Sequence, residues 1–260
     1  MKKIIGILLI TLIIGWYTLS NCAPELTTTI SLQEHINDSL TLVNGDYALK
    51  QDPTNLVKIP QNSASNLQVK DGYYVQNTVL QPLLQLLKAA EDVGITHFTI
   101  NSAYRSGVAQ QKLFEAKGAT YAQQRGHSEH QTGLSLDIGS TQGTMDATEE
   151  GQWLAEHAHE YGFILRYPLG KEGITGIAYE PWHFRYVGLP HSQVMFDKEL
   201  TLEEYLMYVE EQGSYIKKIN NTTYFVQYTT NEKTAEIPDM TSFSVSRDNR
   251  GGKIITNNLN

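Results

Sequence analysis

Apolar residues recur at helical spacing in "VLQPLLQLLKAAEDVG" (Val79–Gly94), where Val79, Leu83, Leu84, Leu87 and Ala90 form one stripe that Gly94 closes. The next stretch, "HFTINSAYRS", changes period: Phe98 and Ile100 alternate with polar neighbours, as in a strand. "GVAQQKLFEAKG" (Gly107–Gly118) reads as a short helix ending at a glycine, and "LSLDIGS" as a strand. A helix is expected over Glu149–Gly162, with acids in its first turn and glycine at its end. "FILRYP" and "WHFRYVG" (Trp182–Gly188) read as short strands. In "ELTLEEYLMYVEEQG", Thr201 followed by Glu204 predicts a capping box on a helix. After Gly213 the chain turns Thr-, Asn- and Tyr-rich, with β alternation broken by Asn-Asn, Pro-Asp and Gly-Gly.

The N-terminal part is less periodic. Two lysines precede an uncharged apolar run from Ile4 to Leu19, with Trp16 and Tyr17 suited to a membrane interface. Residues 1–22 are therefore expected to form a signal anchor; a cleaved signal peptide is the alternative, and "LSNC" hints at lipidation of Cys22. Residues 23–39, rich in Thr and Ser, read as a stalk. "TLVNGDYAL" (Thr41–Leu49) carries an Asn-Gly turn signal, and loop-like sequence follows to about Lys70. The resulting expectation is an α+β fold. Helices pack on one face of a mainly antiparallel sheet over residues 40–212, and residues 213–260 form a small β module. No repeat of 20–50 residues is present.

Composition narrows the chemistry. With 40% hydrophobic residues the chain can bury a real core, and a net charge of −8 without any basic run argues against a nucleic-acid partner. One cysteine excludes an intrachain disulfide and a Cys-based zinc site, so any metal must be held by histidine and carboxylate.

Two short clusters concentrate such residues. "GHSEHQTGLSLDIG" (Gly126–Gly139) contains His130 and, seven residues later, Asp137, with Gly133 allowing a tight path between them. Alone the pair is a weak signal. "EPWH" adds Glu180 and His183 at i and i+3, able to project toward one site. An open catalytic zinc site takes three nitrogen or oxygen ligands. His130, Asp137 and His183 supply that number, leaving Glu180 as general base for the attacking water.

"SEHQTGLSLD" (Ser128–Asp137) resembles the S-x-H-x(6)-D signature of zinc D-Ala-D-Ala metallopeptidases. "EPWH" (Glu180–His183) resembles their E-x-W-H motif, and "SAYRS" (Ser102–Ser106) their arginine-bearing segment. Order and spacing are similar to those of the VanY-type D-alanyl-D-alanine carboxypeptidases, over roughly Leu40 to Tyr208. Ser135 stands where that family often has alanine. The resemblance implies that His130, Asp137 and His183 bind one zinc ion, that Glu180 is the catalytic acid/base, and that Arg105 stabilises the oxyanion. Ser128, Gln110 and Trp182 are the candidate substrate contacts. The implied substrate is a peptidoglycan stem peptide ending in D-Ala-D-Ala, cut outside the cell without a covalent acyl-enzyme, with loss of the vancomycin target as the consequence.

Other polar residues carry plainer readings. His127 and Glu129 are taken as scaffold, His157 and His159 as surface, and Arg166 as structural. Trp153 and Phe163 are assigned to the core, and Glu149–Glu150 to a helix start. The alternatives are an L,D-carboxypeptidase acting on tetrapeptides and a non-catalytic cell-wall binding protein.

Overall fold

The structure, a computed structural model, describes residues 24–259 apart from residues 62, 71, 119–121, 240 and 241. The expected signal anchor, with Cys22, lies outside the described residues. Among the described residues no helix is long and apolar enough to cross a membrane.

Thirteen strands and six helices follow in chain order among the described residues. Strands β1 (Thr28–Ser31), β2 (Leu56–Lys58), β3 (Leu67–Val69) and β4 (Tyr74–Gln76) precede helix α1 (Asn77–Asp92) and strand β5 (Phe98–Ser102). Helix α2 (Gly107–Lys117), strand β6 (Ser135–Ser140), helix α3 (Glu149–His157), strand β7 (Phe163–Leu165), helix α4 (Glu172–Thr175) and strand β8 (His183–Tyr186) come next. Helices α5 (His191–Asp197) and α6 (Leu202–Gln212) lead into strands β9 (Ser214–Ile219), β10 (Thr222–Thr229), β11 (Thr234–Ile237), β12 (Ser242–Arg247) and β13 (Lys253–Asn258).

The sheet that carries the chemistry has the order β3-β5-β6-β8-β7, parallel at β3–β5 and antiparallel elsewhere. Side chains alternate across a strand, so the sheet sorts its residues. Leu136, Ile138 and Phe184 join Phe98, Ile100 and Phe163 in a core with Val79, Leu83, Leu86, Leu87 and Ala90 of α1. Each fully buried leucine there contributes about 1.5–3 kcal/mol, so packing rather than helix propensity fixes α1. The alternate positions, Ser135, Asp137, His183 and Arg185, go to the other face, with Asp137 directly opposite His183 and Ser135 opposite Arg185. A bulge between Ile100 and Ser102 shifts the register of β5, placing Ser102 opposite Asp137.

Several expectations are corrected. Residues 24–39 are not a stalk: β1 pairs antiparallel with β11, Ile30 and Leu32 are buried, and Asn37 donates its N–H to the Val245 carbonyl at 3.0 Å. Threonine is a good strand former on a half-buried surface, and its partner lies two hundred residues away. The loop-like stretch before Lys70 contains β2 and β3. The helix expected over Glu149–Gly162 ends at His157, and a 3-10 turn over Ala158–Tyr161 follows. His159 is buried, not on the surface, with its ring stacked on Phe196 at 3.6 Å.

The four-stranded antiparallel sheet β12-β13-β10-β9 forms the C-terminal module. Its Val226 and Ile254 share one core with Leu206 and Val209 of α6, with Ile164, Val187, Val194 and Met195, and with Leu40 and Leu42. Thr201 caps α6 in the expected box with Glu204.

Candidate active site

His130 lies in a 3-10 turn (Glu129–Thr132) that Gly133 ends in the left-handed conformation, at φ 70°. A Cβ at Gly133 would sit 2.8 Å from Leu56 Cδ2, so the left-handed conformation favours glycine and any side chain would have to displace Leu56. The turn then feeds β6, which delivers Asp137. His183 starts β8, after a turn in which its N–H donates to the Glu180 carbonyl at 3.1 Å.

The three candidate ligands converge. One donor atom from each of His130, Asp137 and His183 lies within 4.8 Å of the others. His130 Nε2 is 3.4 Å from Asp137 Oδ2, and His183 Nδ1 is 3.1 Å from Asp137 Oδ1. His130 Nδ1 faces the Ala103 carbonyl at 2.9 Å. A carbonyl can only accept, so the proton sits on Nδ1 and the lone pair of Nε2 faces Asp137. Asp137 Oδ1 is buried and, although close to His183, has no partner in hydrogen-bond geometry. Two imidazoles and a carboxylate, one oxygen of it orphaned, fit an open catalytic zinc site.

The charges are mutually adjusted. Burial lowers the His130 pKa, outweighing the pull of Asp137. Burial disfavours the cation at His183 too, but the carboxylates of Asp137 and Glu129 overcome it and raise that imidazole to about 9. Burial opposes ionisation of Asp137, yet the two histidines hold it well below the usual carboxylate range. Glu180, 3.5 Å from His183 Nδ1 and partly open to solvent, is shifted upward by burial and by the nearby Asp137 and Glu129 charges. A carboxylate raised in this way is a better proton acceptor.

Arg105 is half-buried at the edge of this group, and its N–H donates to the His130 carbonyl at 3.0 Å. Its guanidinium donates to Gln110 Oε1 at 2.9 Å and to Ser102 Oγ at 3.0 Å. Gln110 is buried, and its amide nitrogen donates to the Gln123 carbonyl at 2.6 Å. Both ends of the Gln110 amide therefore bond within the protein, and its oxygen holds Arg105. Ser128 is buried, and its hydroxyl makes no capping bond to the turn that follows it. Trp182 is 40% exposed, so its indole is not core, while its carbonyl accepts from Ile138 N–H at 2.9 Å.

Residues read as scaffold carry more charge than expected. Glu129 is fully buried, and its Oε1 accepts from Arg166 Nε and Arg185 Nη1, each at 2.8 Å. Arg166 also donates to both oxygens of Glu203, at 2.9 and 2.7 Å. Two guanidiniums thus balance two carboxylates, which makes burial of the charges tolerable. Burial pushes the Glu129 pKa up, but Arg166 and Arg185 win and hold it well below the usual range. Arg185 was missed from sequence. Its signal was available: a charged residue two positions after His183 in a strand, hence on the same face. His127, as expected, stays outside the site, with Nδ1 2.8 Å from the Asn44 carbonyl.

Fold and site together define a mononuclear metallohydrolase-type centre, carried on an α+β scaffold, with a carboxylate and a cationic residue beside the three candidate ligands. The chain belongs to the VanY family of D-alanyl-D-alanine carboxypeptidases. That family's model matches residues 72–189, which include Arg105, His130, Asp137, Glu180 and His183. A D-alanyl-D-alanine carboxypeptidase of Enterococcus faecium is 38% identical over 235 residues, 88% of this chain and 78% of its own length. Among solved structures, the vancomycin resistance D,D-dipeptidase VanXYg bound to a D-Ala-D-Ala phosphinate analogue is similar at TM-score 0.75 and 26% identity. The match covers 89% of this chain and 98% of that one, more than residues 1–213 could supply, so it reaches into the C-terminal module. The LdcB LD-carboxypeptidase is similar at TM-score 0.59 and 33% identity, covering 71% of this chain and 94% of that one. A mutant of the D,D-pentapeptidase VanY in complex with Zn(II) is similar at TM-score 0.55 and 32% identity, covering 65% of this chain and 99% of that one.

Proposed function

We propose that this protein is a zinc-dependent D,D-carboxypeptidase that removes the C-terminal D-Ala from peptidoglycan stem peptides ending in D-Ala-D-Ala. The observation that carries the reading is the convergence of His130, Asp137 and His183 within 4.8 Å, with Glu180 at 3.5 Å from His183. These three residues would hold the ion. When bound, zinc polarises a carbonyl and brings the pKa of a water toward about 7.

The remaining work falls to the chain itself. Glu180 accepts the proton of the attacking water and returns it to the departing amine of the terminal D-Ala. Arg105, fixed by Gln110 and Ser102, offers its guanidinium to the negative charge that develops on the scissile carbonyl oxygen. The Ser128 hydroxyl and the exposed face of Trp182 are the substrate contacts. No acyl-enzyme forms, so β-lactams that acylate serine enzymes leave this one active. Acting outside the cell, as the lysines before the N-terminal apolar run support, it removes the ends to which vancomycin binds.

A second reading, an L,D-carboxypeptidase cutting tetrapeptides, draws on the similarity to LdcB. Mass spectrometry of products from tetra-, penta- and depsipeptide stems and from free D-Ala-D-Ala, with and without chelator, separates the two. Pentapeptide converted to tetrapeptide, with loss of activity in chelator, is the expected result. Tetrapeptide consumed with pentapeptide untouched overturns the first reading in favour of the second.

A further inference from the structure

We propose that Glu129 is a positioning residue for His183: its buried carboxylate faces the Nε2–H of that imidazole and so presents Nδ1 to Asp137 and Glu180. The inference rests on the metal-site reading above and extends it to a residue outside the ligand set. Glu129 Oε2 lies 3.5 Å from His183 Nε2, an ion-pair distance, and accepts from Ser135 Oγ at 3.0 Å. His183 Nε2 is buried and has no partner in hydrogen-bond geometry among the described residues, so the Glu129 carboxylate is the charged group that faces it. The other oxygen, Oε1, accepts from Arg166 and Arg185, so the carboxylate cannot rotate away without breaking both contacts.

An ionised carboxylate only accepts. Facing Nε2, it selects the tautomer with the proton on Nε2 and leaves the Nδ1 lone pair for a metal. Carboxylates placed behind metal-ligating imidazoles act in this way and raise their basicity. The arginines supply what such a carboxylate needs in a dry interior, a reason to stay charged. Arg185 is itself fixed by the carbonyls of Ser39 and Thr41, at 3.0 and 2.9 Å. Glu129, adjacent to one ligand in sequence, thereby serves the other, which lies 54 positions further on.

The test compares Glu129→Gln with Glu203→Gln, which alters the same charge cluster without facing His183. Zinc affinity is read by chelator competition, ligand-field geometry by the visible spectrum of the Co2+-loaded protein, and folding by circular dichroism. Glu129→Gln is expected to fold, to lose about 10–100-fold in zinc affinity, and to shift the Co2+ bands; Glu203→Gln is expected to leave both readouts unchanged. Zinc affinity and Co2+ bands unaltered in Glu129→Gln overturn the proposal, as does an equal loss in the two variants. If Glu129→Gln does not fold, nitrogen-15 histidine NMR of the wild type decides: an exchange-protected Nε2–H on His183 supports the contact, and its absence overturns it. A wild type that takes up no zinc refutes the metal reading itself, and the same Nε2–H signal in metal-free protein still decides the placement of Glu129.

Discussion

At the scale of single residues, Glu180 is the sharpest case. It is 29% exposed, whereas the ligand candidate His183 is 5% exposed, so it is the member of the cluster most open to an incoming peptide. Replacing it with glutamine removes the proton acceptor and leaves the three ligands in place. We expect Glu180→Gln to lower turnover by about 10²–10⁴-fold while bound zinc stays at one ion per chain, as measured by stopped assays and elemental analysis. Loss of zinc together with activity would instead place Glu180 among the ligands. Gln110 teaches a different lesson: only the structure shows that its amide bonds Arg105 at one end and the Gln123 carbonyl at the other.

At the scale of elements, two junctions are testable. The capping box of α6 has Thr201 Oγ1 accepting from Glu204 N–H and Glu204 Oε2 accepting from Thr201 N–H. Thr201→Ala should cost about 1 kcal/mol in urea unfolding. The second junction joins α5 to α6 and the C-terminal module. His191 Nδ1 is 2.5 Å from Tyr205 Oη, its Nε2 is 3.0 Å from Thr256 Oγ1, and Tyr205 Oη is 2.7 Å from Tyr215 Oη. Burial pushes the His191 imidazole down to about 3. The unfolded chain binds this proton near the ordinary value of about 6.5, and the folded chain does not. The stability it contributes is therefore complete above that value and is lost progressively as pH falls toward 3. In denaturant titrations from pH 7 to 4, His191→Gln should flatten the fall in stability relative to wild type. An identical slope in the two proteins would rule out this assignment.

At the scale of the whole molecule, the catalytic unit and the C-terminal module are not independent. Val226 and Ile254 sit in the same core as Val194, Met195 and Leu206, and Leu40 and Leu42 close it from the N-terminal side. Truncation after Gly213 would expose that core to water. We expect the truncated chain to unfold at lower temperature than the full chain and the full chain to melt in one transition, read by calorimetry. A truncated chain as stable as the whole would show the module to be an appendage.

What the sequence alone determined was local or periodic: α1 from its stripe, the capping box from Thr201 and Glu204, strands β5, β6, β7 and β8 of the central sheet, and the ligand set from two motifs of recognisable spacing. These are legible because helix and strand periods, caps and metal preferences are properties of neighbouring residues. What tertiary structure decided was everything that depends on a distant partner. The Thr-rich segment 28–31 becomes a strand because β11 pairs with it. Ser102 reaches Asp137 because a bulge shifts the register of β5. Glu129 changes from scaffold to charged neighbour of His183 because Arg166 and Arg185, from two other strands' surroundings, converge on it in a dry interior where a lone carboxylate could not remain ionised.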